Sequence, residues 1–249
     1  MSGHSRFGAS AAHRWMRCPG SISATEGLPN VSTPAALEGT MLHDAAAMVL
    51  EGFVQIVDLA TDARFMLNEE QIDVVRQYVD LVAAESSRDG FEMGGLLIET
   101  RVRIPSFEEF TGTADAIIYG ETWLKLLDLK CGRGVNVEAE YAGKVNPQLG
   151  FYALGALAQF PKWEPEHIEV IISQPRYGGT KRRTVTLEEL KELEADMLDA
   201  VILAVSDDPP FLAGSHCHFC LARATCPTLR DYVYKIARMD FDDFATAPV

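Results

Sequence analysis

The stretch Trp123–Gly134, WLKLLDLKCGRG, decides how this chain is read. Its leucines mark a buried strand, yet Asp128 and Lys130 stand two positions apart, and side chains two apart in a strand share a face. Just upstream, GTADAIIYG carries Asp115 in a second apolar run, and the connection around Gly120–Thr122 is short enough for a hairpin, which makes the pair antiparallel. With the loop centred on Glu121 and Thr122, residues whose numbers add to 243 face each other, so Asp115 falls opposite Asp128. Opposed residues hold their Cβ atoms about 4.5–5.5 Å apart. Two carboxylates and an ammonium therefore share one small patch.

Carboxylates in an apolar sheet repel, and desolvation raises their pKa unless a cation keeps them ionised. Mg²⁺ or Mn²⁺ does this well, because it prefers oxygen ligands and commonly sits on one or two carboxylates plus a substrate phosphate. Such an ion polarises the phosphoryl group, while a nearby lysine stabilises developing charge. The chemistry suited to the patch is phosphodiester hydrolysis. The competing reading is a solvent-exposed Asp128–Lys130 pair at a strand end, since so short a pattern arises by chance. The surrounding sequence has to decide.

Upstream, Thr33 and Pro34 open a helix expected over Pro34–Glu51, with Gly52 at its stop. Asn68 and Gln71 form a capping box before an apolar stripe at Ile72, Val75, Val79 and Val82. After a glycine-rich break at Gly94–Leu97 the period changes to that of strands, in LLIETRVRI, GTADAIIYG and TWLKLLDLK. Asn146 and Pro147 start a third helix with a stripe at Leu149, Ala153, Ala156, Leu157 and Phe160. HIEVIISQPR reads as a fourth strand, the KRR of Lys181–Arg183 as a solvated turn, and Thr186 with Glu189 as the capping box of a last long helix.

The 249 residues, 47% hydrophobic and 23% charged, fit one folded domain. No apolar window is long enough to span a membrane, and MSGHSRFGASAAHRWMRCPG lacks a secretory h-region, so an intracellular protein is expected. A net charge of −14 opposes broad attraction to polyanions, so any nucleic acid must be held by local basic groups such as Arg101 and Arg103, or Lys130, Arg133 and Lys144.

GTADAI, LLDLKCGRG and PQLGFYALGAL, in this order, resemble the RecB-like branch of the PD-(D/E)XK nucleases. That branch has a strand Asp, an Asp-x-Lys on the next strand, a Gln-x-x-x-Tyr helix matched by Gln148 and Tyr152, and an upstream Gly-x-x-x-His matched by Gly39 and His43. The resemblance implies an α/β restriction-endonuclease-like core with a mixed central sheet flanked by helices. It implies that His43, Asp115, Asp128 and the carbonyl of Leu129 ligate Mg²⁺ or Mn²⁺, that Lys130 is catalytic, and that Gln148 and Tyr152 contact the substrate strand or brace the site. Glu38 and Glu99 are weaker members, Glu99 either as a supporting group or as a partner of Arg101.

Cys217, Cys220 and Cys226 are close in sequence, and Cys18 lies at the other end of the chain. By themselves three clustered cysteines fit structural zinc. The arrangement resembles the iron staple of RecB-like exonucleases of the AddB type and of CRISPR-associated single-stranded DNA exonucleases, which implies a [4Fe–4S] cluster, with Zn²⁺ as the alternative. Cys131 reads as packing beside the site.

SAAHRWMRCPGS, CGRGVNVEAEYAGKVNPQLGFYALGAL and the cysteine trio together resemble phage and prophage proteins of this superfamily. The expectation is one nuclease domain over 1–238, with a helical insertion at about 53–92, a cluster segment at 216–227 working with Cys18, and an acidic tail at 239–249. It would be a single-stranded DNA exonuclease in phage recombination or DNA processing, in the cytoplasm of a bacterial host. The rivals are a non-catalytic DNA-binding accessory protein and a zinc-stabilised interaction protein. MDFDDF, near the end, resembles the acidic tip by which single-stranded-DNA-binding proteins dock replication partners; a disordered solvating tail is the competing reading.

Overall fold

The computed structural model describes residues 5–88, 93–160 and 163–245. In chain order the elements are α1 (Ala12–Arg17), α2 (Ser21–Thr25), α3 (Pro34–Leu50), α4 (Glu69–Ser86), β1 (Met93–Arg103), β2 (Thr111–Gly120), β3 (Trp123–Leu129), β4 (Glu140–Tyr141), β5 (Lys144–Val145), α5 (Pro147–Gln159), β6 (His167–Gln174), β7 (Gly179–Val185), α6 (Leu187–Ala204) and α7 (Pro227–Ala245). Contacts divide the chain into two compact units, one of Met1–Ser10 with Val31–Glu194, the other of Ala11–Asn30 with Ala195–Val249.

The first unit is an α/β fold around a mixed five-stranded sheet in the order β1-β2-β3-β6-β7. All neighbours are antiparallel except β3 and β6. That parallel step needs a crossover, and α5 makes it, packing on β1, β2, β3 and β6. The β2–β3 register is the expected one: Ala116 faces Leu127 and Ile117 faces Leu126. Asp115 and Asp128 occupy the next step of that register, just past the last paired residues.

Local sequence explains the helices that flank the sheet. The Thr33 hydroxyl accepts from Ala36 N at 3.2 Å with Pro34 in the first turn, and both halves of the Asn68–Gln71 capping box form at 3.0 Å. Asn146 Oδ1 accepts from Gln148 N at 2.9 Å, so the helix bearing Gln148 and Tyr152 starts where the sheet crossover begins. The helices α3 and α4 bury Leu42, Ala45, Val74, Val75, Tyr78 and Val82 against Ala116, Ile118, Leu127 and Leu129. Ile117 and Leu126, of opposite parity, are equally buried, so β2 and β3 are apolar on both faces. The segment expected as an insertion at 53–92 is therefore a wall of the core in space; its residues 89–92 lie outside those described.

Four local expectations are corrected. Gly94–Leu97 is no break but part of β1, with a register shift between Met93 and Gly95; a Cβ on Gly95 would lie 2.5 Å from the Tyr119 hydroxyl, so glycine there lets the tyrosine lie across the strand. The KRR segment is no turn: it lies in β7, whose Arg182 pairs with Ile171, because Gly178 and Gly179, both at positive φ, turn the chain one step earlier. Only half of the Thr186–Glu189 box forms, Glu189 N donating to Thr186 Oγ1 at 3.1 Å, since the Glu189 carboxylate turns to Val145 N and Arg183 instead. The segment expected as an acidic tail continues α7 as far as Ala245, and 246–249 lie outside the described residues.

In the second unit, consecutive tight turns carry the cysteines. Cys217 N bonds Gly214 O, Cys220 N bonds Cys217 O and Arg223 N bonds Cys220 O, at 3.0–3.1 Å. In such turns residues three apart eclipse, which stacks Cys217 and Cys220 on one side. Cys226 immediately precedes Pro227, the first residue of α7, and accepts from Arg230 N at 3.1 Å.

Candidate metal centre

Glu99, Asp115 and Asp128 form a row across β1, β2 and β3. The β1–β2 ladder pairs Ile98 with Ala116 and Thr100 with Ala114, so Glu99 stands across from Asp115. Glu99 has φ +43°, a left-handed conformation that side chains other than glycine rarely take. Strand alternation breaks there: Ile98 packs in the α3–α4 core, whereas Val102, four residues on, meets Gly155 of α5. The backbone turn aims the Glu99 carboxylate at α3, where His43 Nδ1 lies 3.7 Å from Glu99 Oε1 and 3.4 Å from Asp115 Oδ2. Donor atoms of His43, Glu99 and Asp115 all lie within 4.8 Å of one another. They line one tight hollow with Tyr78, Ile98 and Leu129.

Asp115 Oδ2 also accepts from Leu129 N at 2.7 Å, which ties the end of β3 to β2 after their ladder stops. Burial works against protonation of His43, but hydrogen bonds with Asp115, the Cys131 thiol and Glu99 outweigh it and lift the imidazole pKa. Asp128 is 2% exposed, and burial pushes its carboxyl up to about 6 against the pull of Lys130. Its Oδ2 lies 2.7 Å from Lys130 Nζ, but off the direction of a hydrogen bond, and is left with no hydrogen-bond partner. Tyr78, fully buried on α4, donates to Leu127 O at 3.4 Å, and burial followed by the Asp115 and Asp128 carboxylates raises its pKa.

On the α5 side, Lys130 Nζ donates to Gln148 Oε1 at 2.9 Å and Gln148 Nε2 donates to Tyr152 OH at 2.9 Å. Burial opposes the charge on Lys130, yet Asp128 and Asp115 raise its pKa above the usual value, so it stays an ammonium. Burial raises the Tyr152 pKa, so the phenol keeps its proton. The sequence-expected residues His43, Asp115, Asp128, Leu129, Lys130, Gln148 and Tyr152 thus fall into one connected group. Glu99 belongs to it more closely than the sequence suggested, and among the described residues its ion pair is with His43 rather than Arg101. Glu38 stands apart, held by Arg176 at 2.8 Å and by Gln71 at 2.9 Å. Reading the sequence alone overlooked Tyr78 and Arg176; Tyr78 stood three residues after Val75 on the apolar stripe, a signal that existed.

The donor set suits a hard divalent cation, with one imidazole and the two carboxylates of Glu99 and Asp115 within 4.8 Å of one another and the buried Asp128 carboxylate next to them, held by Lys130 at 2.7 Å. The second unit gathers the four cysteines singled out in the sequence. Cys18, Cys217, Cys220 and Cys226 line one small hollow of about 20 Å³, together with Ser21, His216 and Arg223. All four are free thiols. Burial, and the neighbouring Cys217 and Cys220, raise the Cys18 thiol, and its Sγ accepts from Leu212 N at 3.4 Å. Burial lowers the pKa of Arg14, while Cys220 and Cys18 act to raise it, which places a cation beside the sulfurs. Among the described residues the ligand atoms that lie within 4.8 Å of one another are those of His43, Glu99 and Asp115, and the four sulfurs share a hollow without closing to that spacing.

An α/β fold that sets three carboxylates in a row across β1, β2 and β3, with an imidazole from α3 against two of them and a lysine just past β3, defines a candidate divalent-metal centre. Residues 4–247 match the family described as a protein of unknown function, DUF2800, and the chain belongs to that family. Among solved structures it is similar to SSO0001, at 14% identity and a TM-score of 0.36 over 89% of this chain and 85% of that one. It is similar to an exonuclease candidate from Eubacterium rectale, at 10% identity and a TM-score of 0.43 over 92% and 88%, and to LHK-Exo in complex with dAMP, at 13% and 0.30 over 78% and 90%. No helix among the described residues is long and apolar enough to cross a membrane.

Proposed function

We propose that the protein is a metal-dependent deoxyribonuclease, and that it hydrolyses phosphodiesters from the ends of single-stranded DNA. The observation that carries this reading is the cluster of His43, Glu99 and Asp115 beside Asp128, which pairs with Lys130, while Gln148 and Tyr152 hold Lys130 from α5. His43, Asp115, Asp128 and the Leu129 carbonyl would hold Mg²⁺ or Mn²⁺, with Glu99 as a further oxygen donor. The ion supplies Lewis acidity at the phosphoryl oxygen and lowers the pKa of bound water. Lys130, kept charged by Asp128 and Asp115, stabilises the negative charge that grows on the phosphoryl group. Gln148 fixes the Lys130 ammonium, and the protonated Tyr152 phenol fixes Gln148, so the cation is oriented before substrate arrives.

Cys18, Cys217, Cys220 and Cys226 would hold a [4Fe–4S] cluster, with Zn²⁺ as the alternative occupant of the same thiols. Its role is structural, closing a loop of nearly the whole chain. We take residues 1–238 as one nuclease domain that acts in the bacterial cytoplasm on phage or prophage DNA. Partners in recombination or replication follow from the same reading.

The test is Mn²⁺-dependent digestion of end-labelled linear and circular single-stranded DNA by wild type and Asp128→Ala. Loss of linear DNA alone, abolished by the substitution, is the expected result. Digestion of neither substrate by metal-loaded protein overturns the nuclease reading in favour of a DNA-binding accessory protein.

A further inference from the structure

The chain after Lys130 is fastened by side chains from the β6–β7 hairpin. Gln174, 1% exposed, accepts from Val137 N at 3.0 Å and donates to Val135 O at 2.8 Å and Gly132 O at 3.3 Å. Lys181 Nζ donates to Val137 O at 2.8 Å and to Gln174 Oε1 at 3.1 Å. Arg176 reaches furthest. Its Nη1 donates to Cys131 O at 3.0 Å and to Glu38 Oε2 at 3.2 Å, its Nη2 to Glu38 Oε1 at 2.8 Å and Glu70 Oε2 at 2.7 Å, and its Nε to Glu70 Oε1 at 2.8 Å. Every N–H of the guanidinium is used.

We propose that Arg176 is a positioning residue for the metal centre, locking the end of β3 that carries Asp128 and Lys130 onto α3, the helix that carries His43. The inference rests on the nuclease reading of that centre. Glu38 lies just over one turn before His43 on α3, and Cys131 directly follows Lys130. Lys130 N is already bonded to Ser173 O at 2.8 Å, so Ser173 and Arg176 hold the backbone on both sides of the Lys130 side chain. Cys131 also lies beside the His43 imidazole, so a shift at Cys131 is felt at both the imidazole and the lysine. Metal–oxygen bonds to Mg²⁺ are only about 2.0–2.1 Å and nearly octahedral, so ligands drawn from a helix and two strands need their spacing fixed in advance.

A purely structural ion-pair hub would lower stability when broken and leave the metal unaffected. A positioning residue changes the metal. Outer-shell changes of this kind typically cost about 10–100-fold in metal affinity or activity.

The experiment measures Mn²⁺ binding to the full chain by loss of the free-ion EPR signal, with kcat and KM on single-stranded DNA and thermal unfolding in parallel. The proteins are wild type, Arg176→Gln, Arg176→Lys and Glu38→Gln, with Arg64→Gln as control because Arg64 sits in an exposed pair with Asp62 and over the Phe65 ring, with no bond to Arg176, Glu38 or the metal centre among those of the described residues. Glu38→Gln cuts only the α3 arm and leaves Arg176 with Glu70 and Cys131, so it reports even if Arg176→Gln does not fold. Expected are a tenfold or greater rise in the Mn²⁺ dissociation constant and a fall in kcat at unchanged KM, with Arg176→Lys restoring part of the affinity. Wild-type Mn²⁺ affinity and kcat in a folded Arg176→Gln or Glu38→Gln protein would overturn the inference, however large the loss of thermal stability. A wild type that binds no Mn²⁺ overturns the metal-centre reading before any variant is made, and this inference with it.

Discussion

Glu99 stands across the ladder from Asp115 with its backbone in the left-handed region, and both carboxylates reach the same imidazole nitrogen of His43. Backbone held in that region costs about 1–3 kcal/mol and persists where the surroundings over-determine it. Glu99→Gly should therefore leave the metal-free protein as stable or up to about 1 kcal/mol more stable, since glycine takes positive φ without penalty. The same change should weaken Mn²⁺ binding at least tenfold. Denaturant melts in EDTA beside a Mn²⁺ titration check both; a less stable variant with unaltered Mn²⁺ affinity would refute the assignment of Glu99 as a donor.

Asp128 sets a pH dependence. Its carboxyl is raised from 3.8 to about 6, mainly by burial, so between those values the folded chain binds the proton more tightly than the unfolded one. The associated stability is fully present below about pH 4 and is lost as pH rises through 6. In EDTA, Asp128→Asn should gain roughly 2–3 kcal/mol over wild type at pH 7, and the gap should close by pH 4. Urea melts across that range decide it, and a gap that grows toward acid contradicts the account.

Lys130 and its train of supports separate binding from catalysis. Lys130→Met should keep Mn²⁺ affinity within a few-fold and lower kcat by a factor of about 100 or more, because the ammonium acts on charge that appears only in the transition state. Tyr152→Phe, which removes only the hydroxyl that accepts from Gln148 Nε2, should cost about tenfold or less. Equal losses in the two variants would mean that the chain from Tyr152 to Lys130 carries more than orientation.

At the other end of β3, Lys125 is 2% exposed and donates to Glu85 Oε2 at 2.7 Å and Glu85 O at 3.2 Å, while Arg182 holds the second carboxylate oxygen at 2.8 Å. Removing one partner of a buried pair costs about 3–5 kcal/mol. Lys125→Met should lose stability of that order with Mn²⁺ affinity intact, since this cluster lies away from the carboxylate row. A loss under about 1 kcal/mol would show that Arg182 and Arg88 suffice for Glu85.

The cysteine hollow makes an elemental prediction. Protein purified without oxygen should carry about four irons per chain and a broad visible absorbance if the thiols hold a [4Fe–4S] cluster, and one zinc without colour if they hold Zn²⁺. Cys18→Ser should reduce metal content and the thermal midpoint together. Unchanged metal in that variant would remove Cys18 from the site.

Much of this was legible in sequence for a physical reason. A two-residue hairpin loop fixes strand register, so Asp115, Asp128 and Lys130 could be placed by counting from Glu121 and Thr122. The caps at Thr33, Asn68 and Asn146 act within one helical turn, and they form as their residues dictate. The KRR segment failed as a turn because pairing to the exposed edge of β6 is a long-range matter, and the Glu189 carboxylate failed as a cap because Val145 and Arg183 competed for it.

The sequence by itself therefore determined β1, β2, β3 and β6, the helix starts at Thr33, Asn68 and Asn146, and the pairing of two carboxylates with a lysine, since these depend on residues near one another along the chain. Only the tertiary structure decided that Glu99 joins the row, that Tyr78 lies beneath it, and that Arg176 ties Cys131 to Glu38. Those contacts span tens of residues to more than a hundred, and no periodicity or local propensity records them; they exist because packing brings α3, α4, the sheet and the β6–β7 hairpin together.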